Sequence, residues 1–211
     1  MYFEHVSLIV VNTATGSVCD RSCAAGGGMK ILAFAASNNP QSINQQLALS
    51  VARLLPQAQV VSLNIDDYEL PIYSEQREAE LGTPPKITAF LQQIAAADGL
   101  IVSFAEHNGT FTAAFKNLYD WASRSQRHIF QHKPALFLAA APGAGGAQSV
   151  LQAAVKAAPF MGAKLVSSLS VANFPQVFDQ QYQQVKDSAL FLQLQHAALT
   201  LQQHIMQHKA A

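Results

Sequence analysis

Three short segments, residues 37–44, 105–111 and 141–147, concentrate the side chains and glycines that could do chemistry. Each follows an apolar run and precedes a segment with helical spacing. In a parallel sheet with helical connections, such segments lie outside the carboxyl ends of the strands, where ligands bind. The three segments are therefore where a ligand is expected.

The first segment is rich in short hydroxyl and amide side chains. Ser42 and Gln45 have the spacing of a capping box, so a helix is expected to begin here. Free N–H groups and the helix dipole at such a start favour an anion such as a phosphate. The segment has neither the G-x-x-x-x-G-K-[ST] pattern of nucleotide hydrolases nor the G-x-G-x-x-G pattern of dinucleotide folds. Ordinary turn and cap chemistry without a ligand is the alternative.

The second segment places a carboxylate, an imidazole and a carboxamide in succession, at Glu106, His107 and Asn108. Gly109 follows and would let the backbone approach a ligand closely. Hydrogen-bonding groups beside a flat stacking face suit a planar heterocycle, and His107 could act as a general base. A solvated loop is the alternative.

The third segment carries Pro142 and then three glycines, Gly143, Gly145 and Gly146. Glycines in this density indicate backbone where side chains would clash, either in a tight turn or against a ligand. The composition of this segment is compatible with both.

Five apolar runs alternating with helical patterns predict the elements that position these segments. The predicted strands are residues 31–37, 59–65, 99–104, 135–140 and 164–169. The predicted helices are residues 42–55, 85–94, 112–124, 150–160 and 190–205, with a long polar connection over residues 66–84. Continuous apolar strands separated by amphipathic helices indicate a parallel sheet covered on both faces. The predicted fold is α/β, a flavodoxin-like doubly wound five-stranded parallel sheet in a three-layer sandwich.

The composition excludes several classes of partner. The 211 residues include 13 basic and 13 acidic side chains, so no overall charge attracts nucleic acid or an anionic membrane. No apolar run approaches the ~20 residues of a membrane-spanning helix. Cys19 and Cys23 are too few to staple a domain and lack partners for a zinc site, which favours a reducing cytoplasm.

Residues 1–28 differ in composition from the rest and end in Ala-Ala-Gly-Gly-Gly, directly before Met29 opens the first strand. We expect residues 1–28 to be a non-native or mis-assigned extension, and residues 29–211 to form one domain. A functional redox pair of Cys19 and Cys23 is the alternative.

The three segments also carry a resemblance. Residues 37–44 resemble the G-S-x-R-x-x-S-x-N loop of the NAD(P)H-dependent FMN reductase family, which includes flavodoxin-like quinone and azo reductases. Residues 104–124 resemble that family's P-E-Y-N...LKN.iDW.SR segment, and residues 142–146 resemble its glycine turn. The most specific stretch is Phe115-Lys116-Asn117-Leu118-Tyr119-Asp120-Trp121-Ala122-Ser123-Arg124. The motif Leu70-Pro71-Ile72-Tyr73 also fits, and the similarity spans residues 29–171.

This resemblance implies an FMN site. The implied cofactor-binding residues are Ser37, Asn39, Ser42, Ile43 and Asn44 at the phosphate, Ala105, Glu106, His107, Asn108 and Gly109 along the isoalloxazine, and Pro142, Gly143, Gly145 and Gly146 on its pyrimidine side. Asn39 stands where the family has Arg, which removes a cation near the phosphate. Ala105 and His107 stand where the family has Pro and Tyr, so an imidazole replaces a phenol ring.

The resemblance further implies a cytoplasmic oxidoreductase with FMN as cofactor and NADPH or NADH as co-substrate. A hydride would pass from the nicotinamide to flavin N5, and then to free flavin, a quinone or another small acceptor. It implies no metal and no side-chain catalyst, with His107 as a possible participant, and a homodimer or homotetramer. The alternatives are a flavodoxin-type electron carrier, whose usual acidic docking face a neutral chain lacks, and a non-enzymatic FMN-binding scaffold.

Several other residues have simple structural interpretations. Two histidine pairs lie one helical turn apart and are expected to be solvated rather than to bind a metal: His204 with His208, and His128 with His132. Asp120 and Arg124 have the spacing of a helical ion pair or belong to a subunit contact. Tyr119 and Trp121 are expected in helix packing or in such a contact.

Overall fold

The computed structural model describes residues 28–210, so the expectations for Cys19, Cys23 and the extension lie outside the described residues. The strands are β1 (Met29–Ala36), β2 (Ala58–Leu63), β3 (Gly99–Phe104), β4 (Glu106–His107), β5 (Thr110–Phe111), β6 (Pro134–Ala140), β7 (Lys164–Val171), β8 (Phe178–Asp179) and β9 (Gln184–Val185). The helices are α1 (Ile43–Ala52), α2 (Glu75–Leu81), α3 (Pro85–Ala96), α4 (Ala113–Ser125), α5 (Gln148–Met161), α6 (Phe174–Val177) and α7 (Ser188–Ala210).

Five of these strands form one parallel sheet in the order β2-β1-β3-β6-β7. The chain starts in β1, moves to one side, and then crosses to build the other side, which confirms the flavodoxin-like prediction. The three central strands β1, β3 and β6 are almost wholly buried. The edge strand β7 differs from the prediction, because Lys164 and Ser168 are exposed and its faces are only partly covered.

Alternate residues of each central strand face two separate cores. In β1, Leu32 and Phe34 belong to the core under α3, α4 and α5, whereas Ile31 and Ala33 belong to the core under α1 and α7. The result is the predicted three-layer sandwich.

Helix α1 begins as predicted, but only half of the capping box forms. Ser42 Oγ accepts the N–H of Gln45 at 3.4 Å. The Gln45 side chain does not return to Ser42; its Oε1 accepts the Ala35 N–H at 2.6 Å, and its Nε2 donates to Ser62 Oγ at 3.0 Å. Gln45 therefore ties α1 to β1 and β2. The helix ends at Ala52, three residues before the predicted end, and continues as a turn.

The long polar connection contains regular structure. A 3-10 helix spans Ile65–Tyr68, so β2 ends earlier than predicted. Helix α2 is capped by Ser74, whose Oγ accepts the Arg77 N–H at 3.2 Å. No residue of α2 is buried, so no apolar stripe was present in the sequence to predict it.

The predicted ion pair between Asp120 and Arg124 is wrong. Asp120 binds Lys116 Nζ at 2.6 Å, and Arg124 Nε reaches Glu78 of α2 at 2.9 Å. The competing partner of Arg124 lies on a helix that the sequence pattern did not predict. Phe160, the last residue of the predicted helix 150–160, is 68% exposed, and Ala158 and Met161 are the buried residues in this last turn of α5.

The histidine pairs contact ordinary neighbours. His204 Nδ1 donates to the Thr200 carbonyl at 2.9 Å, and His208 Nδ1 lies 3.5 Å from Lys164 Nζ. The rings of His128 and His132 pack edge to face with centroids 4.6 Å apart. Across residues 28–210, no three His, Cys, Asp or Glu side chains come together as a possible metal site. No helix in this range is long and apolar enough to cross a membrane.

Candidate functional site

The central strands bring the three segments to one edge of the sheet, called the carboxyl edge below. Ala36 of β1 pairs with Phe104 of β3, which pairs in turn with Ala139 of β6. Because these strands are parallel, the chain leaves all three on the same side. Residues 37–44, 105–111 and 141–147 therefore follow strand ends that are neighbours.

The first segment is a tight turn held by its own side chains. Ser37 Oγ accepts the Asn39 N–H at 3.2 Å, and Asn39 Oδ1 accepts the Gln41 N–H at 2.9 Å. The Asn39 carbonyl accepts the Ser42 N–H at 3.0 Å. Ser37 is buried and Asn39 is exposed, and residues 37–44 contain no Lys or Arg. The Asn39 side chain thus shapes the turn.

The first turn of α1 leaves backbone donors available. The N–H groups of Gln45 and Gln46 bond to Ser42, through its side chain and its carbonyl respectively. Within the described residues, the N–H groups of Ile43 and Asn44 find no acceptor. Such groups at the positive end of a helix dipole suit an anion.

The Asn44 side chain faces the sheet. Its Oδ1 accepts from Ser103 Oγ at 2.7 Å and from the Ala140 N–H at 2.9 Å. Its Nδ2 donates to the Ala140 carbonyl at 3.2 Å. Asn44 is 3% exposed, and its side chain is engaged in contacts within the protein. The side chain instead joins the start of α1 to β3 and to the end of β6.

The second segment is a hairpin rather than an open loop. Strands β4 and β5 pair His107 with Thr110, and the turn is Asn108-Gly109. Both turn residues have positive φ, 52° and 78°, the conformation that Asn-Gly favours in two-residue hairpins. A Cβ on Gly109 would meet nothing within 4 Å, so backbone conformation, not close approach within the chain, explains this glycine. His107 and Asn108 are exposed.

Glu106 links the second segment to the third. Its Oε2 accepts the N–H of Val150, in the first turn of α5, at 2.9 Å. Ala147, which precedes α5, has no side chain that can cap the helix. A carboxylate is favourable at a helix N-terminus, so Glu106 supplies the missing cap from another element.

The third segment contains two kinds of glycine. A Cβ added at Gly143 or Gly145 would meet nothing within 4 Å, so the backbone of these two residues borders open space. Gly146 has φ +60°, and a Cβ there would lie 2.4 Å from Ser170 Oγ. Ser170 Oγ donates to the Gly146 carbonyl at 2.6 Å. Gly146 is required by the fold, whereas Gly143 and Gly145 leave room for a ligand.

Two further predicted positions lie at the start of the second and third segments. Ala105 is buried directly after β3, and Pro142 is exposed at the start of the glycine turn. Every predicted site residue therefore belongs to one of the three segments at the carboxyl edge. Asn39, Asn44 and Glu106 have side chains engaged in contacts within the protein.

A fourth segment, residues 69–73, called the strap below, was not predicted as part of the site. Trp121 Nε1 donates to the Pro71 carbonyl at 2.8 Å. Asn117 Nδ2 donates to the Leu70 carbonyl at 3.0 Å, and its Oδ1 accepts the Tyr73 N–H at 2.8 Å. Trp121 is buried, which confirms its predicted role in packing. The motifs at residues 70–73 and 115–124 contained this signal, because they supply the two sides of the contact.

The strap borders a groove of about 190 Å³ beside the carboxyl edge. The groove runs from Asn38 to the start of α4, with Asp66 and Glu69 among its lining residues. Carboxylates without a basic residue in the lining favour neutral or cationic molecules over anions.

A partly exposed cluster fastens α2, next to the strap, to α4. The Tyr73 hydroxyl donates to Glu78 at 2.8 Å, and Arg124 Nε bonds the same carboxylate. The hydrogen bonds from Tyr73 and Arg124 lower the pKa of Glu78, and the bond to Glu78 raises the pKa of Tyr73. Arg124 therefore acts here as a structural link.

Residues 29–176 match the family model of the NADPH-dependent FMN reductases. An NAD(P)H-dependent FMN reductase of Pseudomonas aeruginosa is 35% identical over 118 residues, which cover 56% of this chain and 63% of the relative. A 2-hydroxy-1,4-benzoquinone reductase of Burkholderia sp. is 35% identical over 119 residues, with coverage of 56% and 63%. The matches thus span less than two thirds of these relatives.

Solved structures support the fold. The flavoenzyme FerB, an NAD(P)H:(acceptor) oxidoreductase from Paracoccus denitrificans, superposes with a TM-score of 0.71 and 20% identity. The superposition covers 85% of this chain and 98% of FerB. From the family match and the three segments at its carboxyl edge, we conclude that the chain belongs to the NADPH-dependent FMN reductase family.

Proposed function

We propose that the protein is an NAD(P)H-dependent oxidoreductase with FMN as its cofactor and a quinone, free flavin or another small molecule as electron acceptor. The names of the matched relatives support the reaction class. The structural observation that carries the proposal is the juxtaposition of unpaired helix N–H groups with glycine backbone bordering open space, both within residues 28–210.

The residues present fit the phosphate of FMN. The N–H groups of Ile43 and Asn44 have no acceptor within residues 28–210, and the hydroxyls of Ser37 and Ser42 lie beside them in the same turn. We assign these four residues to the phosphate. Because residues 37–44 contain no Lys or Arg, neutral donors and the α1 dipole would hold the anion. We place Asn39 here as the residue that shapes the turn.

The other two segments fit a planar ring system. Gly143 and Gly145 would allow a ring to lie against the backbone, with Pro142 and Gly146 fixing the turn. Ala105, His107, Asn108 and Gly109 would border the ring from the hairpin. FMN, when bound, would supply the electron transfer itself, and the protein would supply position and electrostatics.

We assign two distinct roles within the hairpin. Glu106 holds the hairpin against α5 through Val150, so it would position the site without contacting the ring. His107 is exposed and carries two ring nitrogens that can donate or accept a proton. It would exchange a proton with the acceptor or with solvent at this edge.

We further propose a homodimer or homotetramer in the cytoplasm. The resemblance to the family supports the assembly, and the presence of only two cysteines in the chain supports the reducing compartment.

The test uses the full 211-residue chain. We expect yellow flavin absorbance after incubation with FMN, and oxidation of NADPH or NADH with benzoquinone or free FMN as acceptor. Absence of flavin binding at saturating FMN would contradict the proposal. Tight flavin binding with negligible NAD(P)H oxidation, and a dithionite titration that stops after one electron, would favour an electron carrier instead.

A further inference from the structure

A pocket of about 220 Å³, called the α1–α7 pocket below, lies between α1, α7 and the β8–β9 hairpin. Its floor is apolar, with Val51 and Leu194 buried and Phe191 half-buried. Val51 follows Ser42 by nine residues, which places this pocket about 13 Å along α1 from the carboxyl edge. The pocket is therefore distinct from the proposed FMN site.

The tip of the β8–β9 hairpin forms one rim of this pocket. Asp179 Oδ1 accepts the N–H groups of Gln181 and Tyr182, at 2.9 and 3.0 Å. This turn fixes the backbone that carries Tyr182, whose side chain lines the pocket and is 66% exposed. An exposed aromatic ring above an apolar floor is a surface on which a planar ligand can pack.

Arg53 is the single charged residue among those lining the pocket within the described part of the chain. Within residues 28–210, its guanidinium has no carboxylate partner, whereas that of Arg124 is bound to Glu78. A guanidinium presents parallel N–H donors that match a carboxylate. The lining thus combines apolar side chains and the uncharged polar residues Ser50, Gln183 and Gln184 with one guanidinium that selects an anion.

We propose that the α1–α7 pocket binds a small aromatic carboxylate, with its ring on the apolar floor and against Tyr182 and its carboxylate on Arg53. An apolar cavity of about 150 Å³ holds benzene, so the larger α1–α7 pocket has room for a ring and a carboxylate. This site does not depend on the proposed function, because it lies outside the carboxyl edge.

The test is a calorimetric titration of 2-naphthoate into the full chain in the presence of saturating FMN. We expect one site per chain. Arg53→Gln should weaken binding by about tenfold or more, the loss expected for one charge-assisted hydrogen-bond pair. The uncharged analogue 2-naphthylmethanol should bind the wild type as weakly as 2-naphthoate binds Arg53→Gln. Tyr182→Ala, at an exposed position, should weaken 2-naphthoate severalfold.

Arg127→Gln is the matched control, because Arg127 is also exposed but does not line the pocket. It should leave 2-naphthoate binding unchanged. Arg53 also follows the last residue of α1, where a cation is favourable for the helix. If Arg53→Gln lowers only the melting temperature and binds 2-naphthoate like the wild type, the proposal is overturned. Absence of saturable binding would overturn it equally. So would binding of 2-naphthoate that is seen without FMN and lost when FMN is added.

Discussion

The carboxyl edge and the α1–α7 pocket use opposite ends of one helix and are built in different ways. The edge offers backbone N–H groups and glycine backbone, and polar contacts from Asn44 and Glu106 fix it. The pocket offers apolar side chains and one guanidinium, and its lining residues come from three separate elements. A site made of backbone leaves a pattern of small and polar residues in the sequence. A site made of side chains from distant elements leaves no such pattern, which is why only the first was predicted.

Replacement of Asn44 by Ala should produce the largest difference between the effect on the carboxyl edge and the effect on the α1–α7 pocket. The change removes three hydrogen bonds and leaves Ser103 and Ala140 with buried unpaired groups. We expect the free energy of unfolding to fall by about 3 kcal/mol, with a lower FMN affinity. Urea unfolding and flavin titration measure the two effects.

Asn38→Ala is the matched control for this change, because Asn38 is an exposed amide of the same segment. It should alter stability by less than about 0.5 kcal/mol. Binding of 2-naphthoate should survive in folded Asn44→Ala. If Asn44→Ala is as stable as the wild type, the Asn44 amide does not act as a link across the sheet.

The two kinds of glycine sharpen the comparison within the edge. Gly146→Ala puts a side chain in the left-handed region and against Ser170, so we expect a loss of about 2 kcal/mol. Gly143→Ala meets nothing within 4 Å and should leave stability unchanged. It should nevertheless weaken FMN binding by tenfold or more, because its methyl group occupies the open space. Equal FMN affinity in Gly143→Ala and wild type would remove Gly143 from the site.

Glu106→Ala tests the contact between the hairpin and α5. Loss of the cap on Val150 should cost about 1 kcal/mol, and Glu106→Gln should cost less because its amide oxygen can still accept. FMN affinity should fall severalfold while 2-naphthoate affinity stays constant. Glu80→Ala, on exposed helix α2, serves as the control. A change of 2-naphthoate affinity in Glu106→Ala would show that the two regions are coupled.

The smallest effect is expected at the amino ends of the strands, opposite the carboxyl edge, where Asp98 joins α7 to β1. Asp98 Oδ2 accepts the Lys30 N–H at 2.7 Å and binds Lys209 Nζ at 2.7 Å. Burial acts to raise the pKa of Asp98, but the bonds from Lys209 and Lys30 prevail and lower it. A lowered pKa means that the stabilisation is present above the unfolded-state pKa and is lost as the pH falls through the folded-state value.

Asp98→Asn should therefore cost about 0.5 kcal/mol at neutral pH, since the pair is partly exposed. The difference from wild type should shrink below about pH 4, where the unfolded carboxyl begins to take up its proton. Urea unfolding across this pH range measures it. A difference that is constant with pH would mean that the charge of Asp98 contributes nothing.

Much of the fold could be predicted because burial leaves a period in the sequence. The strand 99–104 has the predicted bounds, since all six residues are apolar or small and all are buried. The N-cap of α1 at Ser42 and the apolar stripe of α7 could be predicted from the sequence as well. The family resemblance, which the match over residues 29–176 confirms, rested on motifs within the same segments. The roles of the individual site residues stay predictions.

The remaining features depend on partners that are distant in sequence. Glu106 meets Val150 across 44 residues, and Arg124 meets Glu78 across 46. Local spacing offered Asp120 two partners at four residues, Lys116 and Arg124, and could not show that Arg124 reaches Glu78. The β4–β5 hairpin was missed for a different reason, because Asn108-Gly109 is itself a strong local turn signal. The role of this segment at a ligand site stays a prediction.

The buried amide of Asn44 and the carboxylate of Glu106 together connect all three segments of the carboxyl edge. Asn44 joins the first segment to the ends of β3 and β6, and Glu106 joins the second to the helix that follows the third. The segments therefore lose their conformational freedom during folding, before any ligand arrives. Binding at a preorganised edge carries a smaller entropic cost, and more of the contact energy is expressed as affinity.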